Sequence, residues 1–189
     1  IVTQCNKELW IVNLFKHSSA NTAIHIMFAA FLMVMTWGTA TPEYAFYWTS
    51  VLACTLAISL FYQTRFNHRK AQQTQKATQW ENILVCITLV ASIIFAAAYY
   101  YLATLVSSQL WAMIALIAAM HMGSATMTCL YSKKIILAML LPTFSPLVIA
   151  FILIAQPISF ILAASLTIFA GVVLFFSISV NRSLINGLN

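Results

Sequence analysis

Apolar residues fill six long runs of the chain, and short polar segments separate these runs. We predict membrane spans at residues 21–40, 44–64, 82–104, 110–131, 135–155 and 158–179. Each run has about the 20 residues that a helix needs to cross the hydrocarbon core of a bilayer. The pattern therefore predicts an all-α, polytopic membrane protein. Its six transmembrane helices form a single domain over residues 21–179.

The two flanking segments are more polar than the spans. Residues 1–20 mix apolar positions with Lys7, Glu8 and Lys16, a pattern typical of a helix that lies on the membrane surface. An ordinary lead-in to the first span is the alternative. Residues 180–189 contain no helix-stopping residue before Gly187, so we expect the start of a cytoplasmic signalling helix there. Because the chain begins at Ile1 and stops just after this exit, we expect it to be a fragment of a longer protein.

The basic residues determine the predicted orientation. With the spans placed as above, all nine Lys and Arg fall on one side of the membrane, and the other side carries Glu43 and no base. Loops rich in Lys and Arg stay in the cytoplasm. We therefore predict that both termini are cytoplasmic and that the protein is a multi-pass component of the bacterial inner (cytoplasmic) membrane.

Composition excludes several classes of function. The chain is 62% hydrophobic and 6% charged, far from the roughly 25% charged residues of soluble proteins. Its net charge of +6 fits membrane orientation and contact with anionic lipids, so we expect membrane lipids and no nucleic acid as partners. The four cysteines have no paired spacing, which argues against a disulfide framework or a zinc site. Asp is absent and no nucleophile–base pair is recognisable, so we expect no catalytic residues, no metal and no cofactor in these 189 residues.

The fourth span presents two different faces at 100° per residue. One face has small residues that allow close helix approach, and the other is polar. The small face includes Ala115, Ala119, Gly123 and Thr126, and the polar stripe consists of His121, Ser124 and Thr128. A helix with both faces leaves little perimeter for lipid, so we expect this span to be central in the bundle.

His121 has two interpretations. Ionisable residues inside a membrane are candidates for function, so His121 could bind a polar ligand group, sense protons or hold a metal. Alternatively, a neutral imidazole bonded to a neighbouring hydroxyl or carbonyl would be purely structural, and the spans offer no obvious second histidine or carboxylate. His25 lies near the cytoplasmic end of the first span, and we interpret it as an interface residue. The methionines around His121 fit pliable packing better than a copper site.

The fifth span contains two prolines on one face, Pro142 and Pro146. Each lacks the N–H that would bond the carbonyl four residues earlier, so a kink and free carbonyls near Ala138 and Pro142 are expected. The bend could be a hinge or a fixed shape. Thr143 and Ser145 are candidates to satisfy the freed carbonyls. We predict a ligand site near this bend and the polar stripe, formed by His121, Ser124, Thr128, Pro142, Thr143, Ser145 and Pro146.

The sixth span carries small residues at every fourth position. These are Ser159, Ala163, Thr167 and Gly171. Such a stripe favours close helix contact, either within the bundle or across a homodimer. The sequence leaves both options open.

The chain resembles the N-terminal six-helix membrane modules of bacterial sensor histidine kinases, often hybrid, and of diguanylate cyclases. The shared features are Asn21 ahead of the first span, Trp37–Gly38 near its end and a short basic second loop. They continue with LIAAMHMGSATM, the proline-bearing YSKKIILAMLLPTFSPLVI and the exit LFFSISVNRSLINGLN. His121 and its neighbouring methionines depart from the family pattern. The MHMG sequence is similar to the MHYT motif of another membrane sensor family, which repeats its motif, whereas here it occurs once.

The resemblance implies a sensor that detects a small lipophilic or membrane-borne cue and relays it through the sixth helix. Its architecture is similar to that of six-span kinases for hydrophobic α-hydroxyketone signals. It implies a two-component histidine kinase as output, or a diguanylate cyclase as the alternative, and a dimer in the intact protein. A small transporter or channel, or a structural membrane subunit, is the rival class. A channel would need a polar path through the membrane, and no span interior carries a charge.

Overall fold

The computed structural model describes residues 12, 20–34, 42–68, 77–128, 130 and 132–187. Six helices lie within these ranges. They are α1 (Ala20–Val34), α2 (Pro42–His68), α3 (Ala77–Leu105), α4 (Ser108–Thr128), α5 (Lys133–Ile154) and α6 (Pro157–Gly187). The described residues are thus all-helical, as the hydrophobic pattern predicts. The predicted surface helix over residues 1–20 and the Trp37–Gly38 turn lie almost wholly outside the described residues.

Five of these helices, α2 to α6, are long and apolar enough to cross a membrane, and α1 is a shorter apolar helix. Their surfaces agree with this role, since large apolar side chains such as Leu116, Leu153 and Ile168 are exposed. Apolar surface of this extent marks contact with lipid or a partner. The chain is therefore a multi-pass membrane protein in character.

Local residue chemistry explains the helix boundaries. Pro42 and Pro157 occupy the first positions of α2 and α6, where a missing N–H costs nothing. The Ser132 hydroxyl accepts a hydrogen bond from the Ile135 N–H and caps α5. At the other end of α5, Ala155 adopts a left-handed conformation with φ 55°, and only Ala155 and Gln156 connect α5 to α6. A connection this short holds α5 and α6 as adjacent antiparallel helices.

The centre of the bundle is shared between helices. The most extensive contact joins α3 and α5, followed by that between α5 and α6. α4 packs on α3, α5 and α6, so it lies within the bundle without being its only central helix. α6 is peripheral, because only 17% of its most apolar stretch is buried, whereas 56% of the corresponding stretch of α5 is buried.

The described Lys and Arg residues gather at one end of the bundle, which we call the basic end. It includes the end of α2 with Arg65, the start of α5 with Lys133 and Lys134, and the end of α6 with Arg182. Glu81 at the start of α3 ties α3 to the start of α5, accepting a hydrogen bond from Ser132 at 2.7 Å and pairing with Lys134 at 3.3 Å. The opposite end of the bundle carries Glu43.

The last helix continues well beyond its predicted span. The hydrophobic pattern ends near residue 179, whereas α6 runs unbroken to Gly187. At about 1.5 Å per residue, a helix of 31 residues is roughly 46 Å long. The hydrocarbon core is only about 30 Å thick. α6 is therefore longer than the crossing of a bilayer core requires.

Candidate functional site

A hydrogen-bonded chain of three side chains lies inside the bundle. His25 Nδ1 lies 2.7 Å from His121 Nε2, and the Tyr99 hydroxyl lies 3.0 Å from His121 Nδ1. His121 and Tyr99 are 0% exposed and His25 is 4% exposed. The His25–His121–Tyr99 chain thus links α1, α4 and α3 through polar atoms withdrawn from both lipid and water.

Helical spacing places these side chains on helix faces that contact one another. On α1, the buried residues Asn21, Thr22, His25, Phe28 and Leu32 recur at three- and four-residue intervals and form one face. On α3, Phe95 and Tyr99 are four residues apart and are both fully buried. The faces of α1 and α3 meet at His121 of α4.

Aromatic rings surround the two imidazoles. Phe28 stacks on His121 with ring centroids 4.7 Å apart, and Phe95 lies 4.2 Å from the same ring. Phe95 also lies 5.3 Å from His25 and is held from its other side by Trp48, whose indole donates to the Ile94 carbonyl. These contacts fix the orientation of His121 through packing as well as through hydrogen bonds.

The chain can hold its protons in two arrangements, because a neutral imidazole has one donor and one acceptor. In the first, Tyr99 donates to His121 Nδ1, His121 Nε2–H donates to His25 Nδ1, and His25 carries its proton on Nε2. In the second, His25 Nδ1–H donates to His121 Nε2, and His121 Nδ1–H donates to the Tyr99 oxygen. In either arrangement the bond between the two imidazoles contains a proton that can pass from one ring to the other, so the chain is suited to moving protons between His25 and His121.

Further polar atoms lie beside His25 toward the basic end. The Gln63 amide donates to the hydroxyls of Thr22 at 2.9 Å and Ser59 at 3.1 Å, which joins α1 to α2. Three buried atoms nearby lack a hydrogen-bond partner in the described part of the chain: Asn21 Oδ1, His25 Nε2 and Ser92 Oγ. Buried polar groups are nearly always paired, so these atoms mark a site for water or another polar group.

The interpretation of His25 as an interface residue is wrong, because His25 is buried and bonded to His121. We expected no second histidine near His121. His25 is its partner although 96 residues separate His25 and His121 in the chain. The spacing of Asn21, His25 and Phe28 on one face of α1 was the available signal. In the residues that the structure describes, no group of three or more His, Cys, Asp or Glu could hold a metal.

The other predicted ligand residues do not converge on His121. Ser124 is exposed on α4, and the Thr128 side chain lies outside the described residues. On α5, Thr143 is buried, Ser145 is exposed and both prolines are half-buried. Within the described ranges, no hydrogen bond or ring contact joins any of these residues to His121. The predicted site is therefore divided between the histidine chain and α5.

The hydroxyls of α5 do not satisfy the carbonyls that the prolines leave free. Thr143 donates to the Met139 carbonyl at 2.9 Å, and Ser145 donates to that of Leu141 at 2.7 Å. Pro142 and Pro146 would instead free the carbonyls of Ala138 and Pro142. The expectation about these two hydroxyls is wrong because each bonds the carbonyl four residues before itself, the usual pattern for Ser and Thr in helices.

A groove of about 300 Å³ lies between α5 and α6 beside the prolines. Its lining is almost entirely apolar. The lining residues are Leu137, Leu140, Leu141, Phe144, Ser145, Val148, Thr167, Ala170, Gly171 and Leu174. Ser145, predicted as a ligand residue, thus shares the groove with Thr167 and Gly171, predicted as packing residues.

The predicted packing residues of α4 lie partly within the bundle. Ala115 is buried, whereas Ala119 and Gly123 are half-buried. A Cβ at Gly123 would lie 3.6 Å from the Phe169 ring of α6, which is ordinary contact. The small face of α4 therefore lies close to α6 at this level.

The small-residue stripe of α6 divides into two halves. Ser159 and Ala163 are buried, whereas Thr167 and Gly171 are exposed, and a Cβ at Gly171 would meet nothing within 4 Å. The first half packs within the bundle and the second half faces the groove. A homodimer contact through the second half stays a prediction.

A second polar link joins α6 to the turn between α4 and α5. The Asn181 amide donates to the Leu130 carbonyl at 2.6 Å. Asn181 is 1% exposed although it lies close to the exposed Arg182. The basic end of α6 is therefore attached to the turn that follows the helix carrying His121.

Comparison with known proteins yields no relative. No protein-family model matches the chain, and no curated protein or solved structure is significantly similar to it. The geometry of the described residues is therefore the basis for inferring function.

Proposed function

We propose that the chain is the transmembrane input module of a bacterial signalling protein in the inner membrane, with six spans and both termini in the cytoplasm. It detects a small lipophilic or membrane-borne cue and relays it through α6 to a cytoplasmic output domain. A histidine kinase is the first candidate for that output, and a diguanylate cyclase is the second. The intact protein is a homodimer in this proposal.

The course of α6 is the observation that carries the proposal. This helix is unbroken from Pro157 to Gly187 and is longer than a bilayer core requires. It is also the helix least buried by its neighbours. A continuous helix with most of its apolar stretch free of neighbouring helices can transmit a shift or rotation along its length, whereas a deeply packed helix resists one.

Asn181 attaches α6 to the rest of the bundle at a defined position. Its bond to the Leu130 carbonyl attaches the cytoplasmic part of α6 to the α4–α5 turn. Movement of α4 or α5 relative to α6 would therefore strain or break this bond. This link connects the bundle to the output helix.

The groove between α5 and α6 is the candidate site for the cue. It is apolar and is formed by the output helix together with the proline-bearing helix. An acyl or alkyl chain is apolar, as this lining is. Ser145 and Thr167 are the two lining residues with hydroxyl groups. Occupancy would favour one packing of α6 on α5, and a ligand can shift that equilibrium only by its different affinity for the two packings.

Insertions in α6 test the proposal. One to four alanines inserted after Ser183 of the full-length protein would each rotate the output helix by about 100° per residue. We expect kinase autophosphorylation, or cyclic diguanylate synthesis, to rise and fall with insertion length and to return near the original level at four residues. The control places the same insertions in the polar segment at residues 71–75, where output should not follow this period.

Output that ignores the insertions after Ser183 would contradict relay through α6. The coding sequence beyond Asn189 provides an independent check. A heptad pattern that leads to a phospho-accepting histidine or to a GGDEF-type motif would support the sensor. A stop codon at that point would favour a structural membrane subunit.

A further inference from the structure

A charged imidazole at His121 would find a hydrogen-bond acceptor at each ring nitrogen. An imidazolium donates from both ring nitrogens. At His121 each nitrogen already has an acceptor in place, the Tyr99 oxygen at 3.0 Å and His25 Nδ1 at 2.7 Å. No rearrangement of the backbone is needed to satisfy the added proton.

Two aromatic rings lie against the same imidazole. Phe28 stacks on His121 with centroids 4.7 Å apart, and Phe95 lies at 4.2 Å. Cations are attracted to aromatic faces within about 6 Å, more strongly where water is excluded. This attraction offsets part of the cost of placing charge in an apolar interior.

The unpaired atoms beside His25 provide an approach from the basic end. Asn21 lies one turn before His25 on α1, and Ser92 lies one turn before Phe95, whose ring contacts His25, on α3. Asn21 Oδ1, His25 Nε2 and Ser92 Oγ are therefore at similar depth. A buried water needs two to four polar partners, and these three unpaired atoms are the candidates for that role.

We propose that His121 is a proton-binding site inside the membrane and that His25 relays protons to it from the basic end through a water held by Asn21, His25 and Ser92. The opposite end of the chain is closed, because Tyr99 is fully buried beside Phe95 and Leu102. The site thus takes up protons from one side of the membrane and does not conduct them across. This property is independent of the groove and of any output domain.

The proton transfer balances without another reactant. The step begins from the second arrangement, in which His25 carries its proton on Nδ1. The water receives a proton from the aqueous side at the basic end and gives one to the Nε2 lone pair of His25, so it stays neutral. As that bond forms, the Nδ1–H bond of His25 breaks and the Nδ1 proton passes to His121 Nε2. His25 ends neutral with its proton on Nε2, and His121 ends as an imidazolium that donates to Tyr99 and His25.

Few titratable groups face this site. In the described part of the chain they are His25 of α1 and Tyr99 of α3. The charged residues of the described helices lie at helix ends: Glu43 and Arg65 on α2, Glu81 on α3, Lys133 and Lys134 on α5, and Arg182 on α6. A change of charge at the site is therefore attributable to the histidine chain.

Solid-state ¹⁵N NMR of the histidine-labelled full chain in lipid bilayers tests the proposal directly. Between about pH 8 and about pH 4, one buried histidine should gain a second N–H signal with a contact to the Tyr99 hydroxyl. His121→Gln should delete that signal and so assign it. An imidazole of His121 that stays neutral over this whole range would overturn the proposal.

Tyr99→Phe and Tyr100→Phe form a matched pair on adjacent positions of α3. Tyr99→Phe removes one acceptor of the imidazolium, so the proton affinity of His121 should fall about tenfold or more. Tyr100 is exposed, and its substitution should leave the titration unchanged. Equal titrations in the two variants would overturn the role of Tyr99.

Water-edited spectra test the relay. His25 should show close contact with water and His121 should not. His25→Phe keeps the ring volume and removes the acceptor for His121 Nε2–H, so the proton affinity of His121 should fall and its titration should be incomplete over the same range. Water contact at His121 equal to that at His25, or full titration of His121 in His25→Phe, would overturn the relay. None of these measurements depends on signalling output, so their failure is separate from that of the proposed function.

Discussion

At the residue scale, His25 and His121 are the side chains whose burial demands an explanation. Without its partner, each would leave a ring nitrogen unpaired in the core, Nδ1 in His25 or Nε2 in His121. The bond between them joins α1 to α4, while Gln63 joins α1 to α2. α1 is therefore held in the bundle by polar bonds as well as by Phe28 and Leu32.

His121→Ala should destabilise the bundle, because it leaves His25 Nδ1 and the Tyr99 hydroxyl buried without partners. An unpaired buried group costs about 1–3 kcal/mol. Thermal unfolding in detergent should show a clear loss of stability for this variant and almost none for Ser124→Ala, an exposed position one turn later.

The His121→Ala variant should insert into the membrane normally, since α4 stays apolar. In the full-length protein, its dose response to the stimulus should shift. Unchanged stability and an unchanged response together would show that the histidine chain is dispensable.

At the element scale, α5 and α6 decide how the bundle could switch. α5 contains both prolines and packs on α3, α4 and α6, so a change in its curvature would alter three interfaces. Thr143 and Ser145 bond carbonyls within α5 and do not anchor the bend to a neighbouring helix. Neither hydroxyl therefore forms an interhelical hydrogen bond that a change in the curvature of α5 would break.

Replacing Pro142 and Pro146 with alanine should straighten α5, because each alanine restores an N–H donor to the carbonyl four residues earlier. The output of the full-length protein should then be locked in one state, as measured by phosphorylation with and without stimulus. Pro157→Ala is the control, since a proline at the first position of a helix removes no helical bond. Normal switching in the double variant would exclude a hinge in α5.

At the scale of the whole molecule, the basic end is the main organising feature. It gathers the described Lys and Arg, the ion pair of Lys134 with Glu81 and the Asn181 bond to the α4–α5 turn. The last turns of α6 also lie at this end. An orientation with the basic end in the cytoplasm agrees with the distribution of charge in membrane proteins.

Labelling of single cysteines tests this orientation. In a background without the four native cysteines, Gln156→Cys should react with a membrane-impermeant maleimide in intact cells. Ser183→Cys should react only after the cells are permeabilised. Both positions are exposed in the structure, so the difference reports the side of the membrane. The reverse pattern would place the basic end outside and contradict the proposed topology.

The sequence alone determined the helical class, the approximate extent of the helices and the separation of charge. Hydrophobicity and charge act locally and add along the chain, so a run of apolar residues predicts a helix without knowledge of its neighbours. The unbroken exit of α6 also followed from local composition, because no stop occurs before Gly187.

Only the tertiary structure decided which residues meet. Helical periodicity shows that Asn21, His25 and Phe28 share a face, but it does not show which helix that face contacts. The partner of His25 is His121, 96 residues away, and the partner of Asn181 is the Leu130 carbonyl. In the same way, Ser159 and Gly171 are equivalent in the pattern, yet one is buried and the other borders a groove. Such pairings depend on how whole helices pack, and no single helix encodes them.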